Sequence, residues 1–114
     1  MKLSAKLFAL ALAVVFSVST IIAPAAQTDD SSSYVISIKD FQFSPRMITI
    51  HSGSKVTWTN KDEEPHKVVE VNSTFTSQPL DTDNSFTYEF DAPGTYEYFC
   101  SLHPHMTGKI VVEK

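Results

Sequence analysis

Cys100, His103 and Met106 follow one another at three-residue intervals, just after the run Gly94-Thr95-Tyr96-Glu97-Tyr98-Phe99. Pro104 breaks any helix between them, so the three side chains are expected to project from a tight loop between two strands. A strand end followed by a short loop can aim several side chains at one point. His66, far back in the chain but directly after the turn Asp62 to Pro65, is the fourth candidate. A thiolate, two imidazoles and a thioether make a soft donor set, which favours copper over zinc, magnesium or calcium. Each of these residues has a plainer explanation when taken alone. A single Cys at a strand end is usually a small buried apolar residue, and a single Met fills gaps. Their combined spacing makes coincidence the poorer account.

The elements that must position this group alternate with a period of two. Val56, Trp58 and Asn60 alternate with Lys55, Thr57 and Thr59, and Phe86, Tyr88 and Phe90 alternate with Thr87 and Glu89. Tyr34, Ile36 and Ile38, then Ile48 and Ile50, and later Ile110 and Val112 repeat the pattern. Turn signals separate the runs at Ser44-Pro45, Ser52-Gly53, Asn60 to Pro65, Pro79 to Asn84 and Ala92-Pro93-Gly94. No stretch from Tyr34 onward has the 3.6-residue period of an amphipathic helix. The pattern predicts an all-β chain, a Greek-key β-sandwich of seven to eight short strands. Phe41, Phe43, Trp58, Phe86, Phe90, Tyr96 and Phe99 are its expected packing.

Composition narrows the function classes. The 114 residues carry 9 Lys and Arg against 13 Asp and Glu, a net charge of −4, and phosphate binding needs a basic face. Nucleic acid is therefore not expected as a partner. One cysteine excludes an internal disulfide framework and a zinc site built on paired cysteines. The three glycines, Gly53, Gly94 and Gly108, are too scattered for a phosphate-cradling loop.

The first 25 residues read as a signal peptide. Lys2 and Lys6 form a basic start, Leu7 to Phe16 is unbroken apolar sequence, and Ala23-Pro24-Ala25 is a small-x-small cleavage pattern. The alternative is a retained membrane anchor, but Leu7 to Ala23 is short for a span of roughly 20 residues and holds three hydroxyls. Cleavage after Ala25 would export the chain to the periplasm or the outer face of the cell membrane, with no span left. It would leave 89 of the 114 residues, with 7 basic and 13 acidic side chains and a net charge of −6. Residues 26–33 are expected to be a polar tether and residues 34–114 a single domain. A domain of that size buries only about 60–65% of its unfolded surface, so a bound metal would add useful stability.

The segment from Tyr98 to Val112, with Cys100-Ser101-Leu102-His103-Pro104-His105-Met106 at its heart, resembles the copper loop of the cupredoxins. The two-residue gap between His103 and Met106 is similar to that of the amicyanins, whereas plastocyanins and pseudoazurins have longer gaps. Upstream, Phe43, Pro45, Ile48, Ile50, Gly53, Val56, Trp58, Asn60 and Pro65-His66 match the first half of the family pattern. The resemblance covers Tyr34 to Lys114. It implies one type 1 copper ion held by His66, Cys100 and His103, with Met106 as a weak axial ligand. It also implies a mobile single-electron carrier rather than an enzyme. Such a carrier is expected to be a monomer that meets its redox donor and acceptor proteins near His103.

Several positions depart from that pattern. The family commonly has Asn after the first His, bonded across to the residue following the Cys; here Lys67 stands there, so Ser101 needs another partner. Leu102 replaces a Pro usual in amicyanin-like loops, and its N–H is expected to donate to the Cys100 sulfur and raise the potential. His105 takes the place of an apolar aromatic residue and makes the exit face around His103 more polar. His51 reads as an ordinary strand residue. Asp62-Glu63-Glu64 read as a solvated acidic turn near the copper end, or as a patch that steers a basic partner.

Two other functions compete with electron transfer. A copper carrier or delivery protein would use the same four ligands, but only Met47 and Met106 follow the signal, against the methionine-rich pattern such carriers favour. A cysteine hydrolase built on Cys100 and His103 lacks a nearby acid or amide to orient the imidazole.

Overall fold

The computed structural model describes residues 11–23 and 31–114. Residues 11–23 carry no regular element and are exposed. Of the expected signal peptide, residues 1–10 and 24–25 lie outside the described residues, as do 26–30 of the expected tether. Among the described residues no helix is long and apolar enough to cross a membrane.

Eight strands follow: β1 Ser33–Lys39, β2 Gln42–Ser44, β3 Met47–His51, β4 Ser54–Asn60, β5 Val68–Glu70, β6 Ser85–Phe90, β7 Gly94–Cys100 and β8 His103–Glu113. They form two four-stranded sheets, ordered β2-β1-β4-β6 and β3-β8-β7-β5. The all-β sandwich expected from the alternation is what the chain adopts. The runs of β1, β3, β4, β6 and β8 are legible from their period, and β7 from the run that Cys100 closes. The three-residue strands β2 and β5 are too short to show one.

Neighbours in sequence are not always neighbours in the sheet. β1 pairs in parallel with β4, and β3 in parallel with β8, the latter joining residues 47–51 to residues 109–113 near the end of the chain. In β4 the inward positions Ser54, Val56, Trp58 and Asn60 are buried. The outward Thr57 and Thr59 instead form cross-strand hydroxyl pairs with Thr87 (2.7 Å) and Ser85 (2.8 Å) of β6. Gly53, at φ 88°, makes the left-handed turn that reverses the chain between β3 and β4.

Trp58 is the centre of the core. Its ring meets Phe75, Phe86, Phe90 and Tyr98 at centroid distances of 5.4, 5.8, 6.4 and 5.4 Å. Burying an aromatic side chain of this size contributes about 5 kcal/mol from area alone. Phe75, buried in the connection between β5 and β6, belongs to this cluster and had no periodic run to mark it. Phe41 was expected in the core and is instead 42% exposed, because it lies on the β1–β2 turn at the end of the sandwich that carries the site.

Candidate metal centre

The four expected ligands come from two stretches of chain that reach the same end of the sandwich. One stretch is the loop leaving β4. Asn60 closes that strand with its side chain turned inward. Its Nδ2 donates to the carbonyls of Glu64 and Leu80, each at 2.8 Å, and its Oδ1 accepts from the Asp62 N–H at 2.8 Å. These three bonds fold residues 60–64 into a fixed turn that delivers His66. His66 is then pinned by its own backbone, donating to the Leu80 carbonyl (3.1 Å) and accepting from the Leu80 N–H (2.7 Å). Its imidazole is fully buried.

The other stretch is the β7–β8 hairpin. Cys100 ends β7 and is fully buried, and β8 begins at His103, so only Ser101 and Leu102 form the turn. The expected loop is thus shorter than the spacing suggested, and His103 to Met106 already run in extended strand despite Pro104. The ladder shifts register between Phe99 and Cys100, which sets Cys100 opposite His103. Such an irregularity re-aims side chains at the end of a hairpin. His103 is half-buried, and Met106 is buried at 6% exposure.

His66 Nδ1 stands 3.6 Å from Cys100 Sγ, and His103 Nδ1 stands 3.7 Å from the same sulfur. One nitrogen from each ring and the sulfur all lie within 4.8 Å of one another. Donors roughly 2.0–2.3 Å from a shared ion and about 120° apart are separated by roughly 3.7 Å, which both nitrogen–sulfur distances match. Among the described residues this is the group of three or more His, Cys, Asp or Glu side chains that can share an ion. The donor set is soft, and a buried thiolate with two imidazoles and a methionine on the adjoining strand fits a type 1 copper ion.

The departures noted in the sequence resolve as follows. Lys67 serves with its backbone: its N–H donates to Cys100 Sγ at 3.4 Å, and its carbonyl accepts from the Ser101 N–H at 3.1 Å. Ser101 therefore does find a partner. Among the described residues the N–H bonded to the sulfur is that of Lys67, while Leu102 is 48% exposed. His105 is exposed on β8 and stands outside the ligand group. His51 lies exposed on β3, as expected of a strand residue.

Asp62 corrects the acidic-turn expectation most sharply. Glu63 and Glu64 are exposed, but Asp62 is 5% exposed and faces inward. Its Oδ2 lies 2.9 Å from His66 Nε2, and its two oxygens accept the backbone N–H groups of Asp40 (2.7 Å) and Phe41 (3.0 Å). Burial works against its ionisation. The hydrogen bonds donated by Phe41, Asp40 and His66 outweigh that and hold the carboxyl below its ordinary value. In sequence only the four-residue interval from Asp62 to His66 hinted at this.

Phe41 completes the site. Its ring meets His66 edge-on at 5.4 Å and His103 edge-on at 4.9 Å. The exposed face around His103 continues into a groove lined by Phe41, Leu102, Pro104 and His105.

Residues 8–112 match the family described as Cupredoxin-like domain. Amicyanin-alpha of Methylorubrum extorquens is 36% identical over 115 aligned positions, covering 93% of this chain and 96% of the relative. The chloroplastic plastocyanin of Tetradesmus obliquus is 36% identical over 84 positions, 62% of this chain and 58% of that protein. Among solved structures, an amicyanin mutant in the Cu(I) form superposes with a TM-score of 0.68 at 28% identity, covering 71% of this chain and 82% of that one. A purple cupredoxin from Nitrosopumilus maritimus superposes with a TM-score of 0.66 at 34% identity, covering 70% of this chain and 99% of its own.

Proposed function

The chain belongs to the cupredoxin-like family, and from that premise we propose that it is an exported single-electron carrier whose copper is held by His66, Cys100, His103 and Met106. The observation that carries this is the convergence of His66 Nδ1 and His103 Nδ1 on the Cys100 sulfur, at 3.6 and 3.7 Å. When bound, copper supplies a one-electron couple between its two common oxidation states. Everything else is the work of the chain.

Its residues hold the donors in one arrangement. His66 is fixed by Leu80 and Asn60, the Cys100 sulfur accepts the Lys67 N–H, and Met106 is packed from β8. A scaffold that does not rearrange between oxidation states lowers the reorganisation needed for each transfer. The N–H donated to the sulfur stabilises the more negative, reduced site and favours a higher potential. Half-exposed His103 and its rim of Phe41, Leu102 and Pro104 give a redox partner a route to the site. The likeness to amicyanin and plastocyanin supports a carrier rather than an enzyme. Export rests on the N-terminal pattern of Lys2, Lys6 and Ala23-Pro24-Ala25, and an N-terminus at Ala26 in the secreted protein would establish it.

Addition of Cu(II) to the purified protein tests the central claim. The expected result is an intense thiolate-to-copper absorption band that ascorbate bleaches reversibly and that Cys100→Ser abolishes. A weak band that survives in Cys100→Ser would overturn it.

A further inference from the structure

Resting on the copper reading, we propose that Asp62 is the positioning residue of the site. Its carboxylate holds His66 with Nδ1 toward Cys100 and, with the same two oxygens, holds the turn that seats Phe41 against both imidazoles.

A carboxylate can only accept, so His66 Nε2, 2.9 Å from Asp62 Oδ2, must carry the proton. In the neutral ring the lone pair then lies on Nδ1, which is the nitrogen 3.6 Å from Cys100 Sγ. Metal-binding imidazoles whose other nitrogen donates to a carboxylate are both oriented and made more basic by it. A more basic ligand favours the oxidised ion, so removing the charge at position 62 should raise the midpoint potential.

The same carboxylate holds the β1–β2 turn. Asp40 and Phe41 both have left-handed backbones, at φ 52° and 58°, although neither is glycine. A left-handed backbone is unfavourable for a residue with a Cβ and persists only where the surroundings demand it. Here the demand is visible: their consecutive N–H groups converge on Asp62 at 2.7 and 3.0 Å. That conformation brings the Phe41 ring to 5.4 Å from His66 and 4.9 Å from His103. One carboxylate therefore serves the buried ligand directly and covers the half-buried ligand through Phe41. An amide in its place has one acceptor oxygen for three N–H groups, and its own NH₂ would face a donor.

Heteronuclear NMR of the imidazole nitrogens in the copper-free wild-type protein is the first test. The expected result is His66 as the Nε2–H tautomer, with its ring proton protected from exchange; the Nδ1–H tautomer would overturn the proposal. This arm needs no metal, so it stands even if copper binding fails. In Asp62→Asn, the tautomer preference should weaken, contacts between the Phe41 and His103 rings should disappear, and the midpoint potential should rise. Affinity for Cu(I), measured by competition with a chromophoric chelator, should fall about 10- to 100-fold. Phe41→Leu should keep the wild-type His66 tautomer while the ring contact over His103 is lost, which separates the two functions of Asp62. Wild-type tautomer and affinity in Asp62→Asn would overturn the proposal. Should that variant not fold, the wild-type tautomer and Phe41→Leu still decide.

Discussion

The two arms of the metal centre are held by different physics. The His66 arm is an irregular loop fixed by polar bonds: Asn60 makes three, Asp62 accepts three, and His66 exchanges two with Leu80. The Cys100–Met106 arm is a hairpin fixed by ladder pairing and packing, with Cys100 and Met106 buried and Tyr98, on the same strand as the sulfur, lying against Gly108 of β8. The difference teaches where rigidity comes from when a site joins a loop to a hairpin. A loop has no ladder to satisfy its backbone, so side chains must do it; a hairpin has the ladder and needs only shape. It also separates the ligands by access, since His66 is fully buried while His103 is half-buried at the rim.

The contrast breaks most severely on the polar side. Asn60→Ala would leave the Glu64 carbonyl and the Asp62 N–H without this partner and take one of two donors from the Leu80 carbonyl, and should cost about 3 kcal/mol in urea unfolding of the metal-free protein. Copper affinity should fall with it, because the loop that delivers His66 loosens. A loss below about 0.5 kcal/mol would show that the loop is held by something other than this network.

The packed arm should fail by crowding. A Cβ at Gly108 would stand inside van der Waals distance of the Tyr98 ring, with Cε2 at 2.7 Å, so Gly108→Ala should cost about 2 kcal/mol by thermal unfolding. Pairing that change with Tyr98→Leu should recover part of the loss, which a purely backbone effect at position 108 would not.

Tyr98 also gives this arm a pH signature. Burial pushes its phenol up to about 12, with the nearby Trp58 indole pulling slightly the other way, although the two groups do not hydrogen-bond. The folded chain keeps the proton that the unfolded chain releases near pH 10. Stability is therefore intact below pH 10 and should fall by about 1.4 kcal/mol per pH unit as the pH rises toward 12. Alkaline melts of Tyr98→Phe should lose this slope, and a persisting slope would assign it to other groups.

The smallest effect concerns the exposed part of the acidic turn. Glu63 and Glu64 flank the polar arm but make no side-chain bonds within it among the described residues. Replacing both with Gln should leave the melt unchanged while slowing association with a basic redox protein about threefold at low salt. An association rate independent of ionic strength in the wild type would exclude steering.

Cys100, His103 and Met106 declared the chemistry of this protein by type and interval alone, because donors on one short hairpin have few ways to diverge. The alternation of Val56, Trp58, Phe86 and Phe90 declared the sandwich, because a half-buried strand repeats every two residues and exposes its error at once. The sequence could not show which of Asp62, Glu63 and Glu64 turns inward, nor that Phe41 leaves the core to lie over two histidines, nor that Lys67 serves through its backbone. Those outcomes depend on bonds between residues about twenty or more apart, such as Asp40 with Asp62 and Lys67 with Cys100. In an irregular loop no period announces them. Only the closed tertiary structure, where every buried N–H must find an acceptor, decides which carboxylate is taken inside and which remain in water.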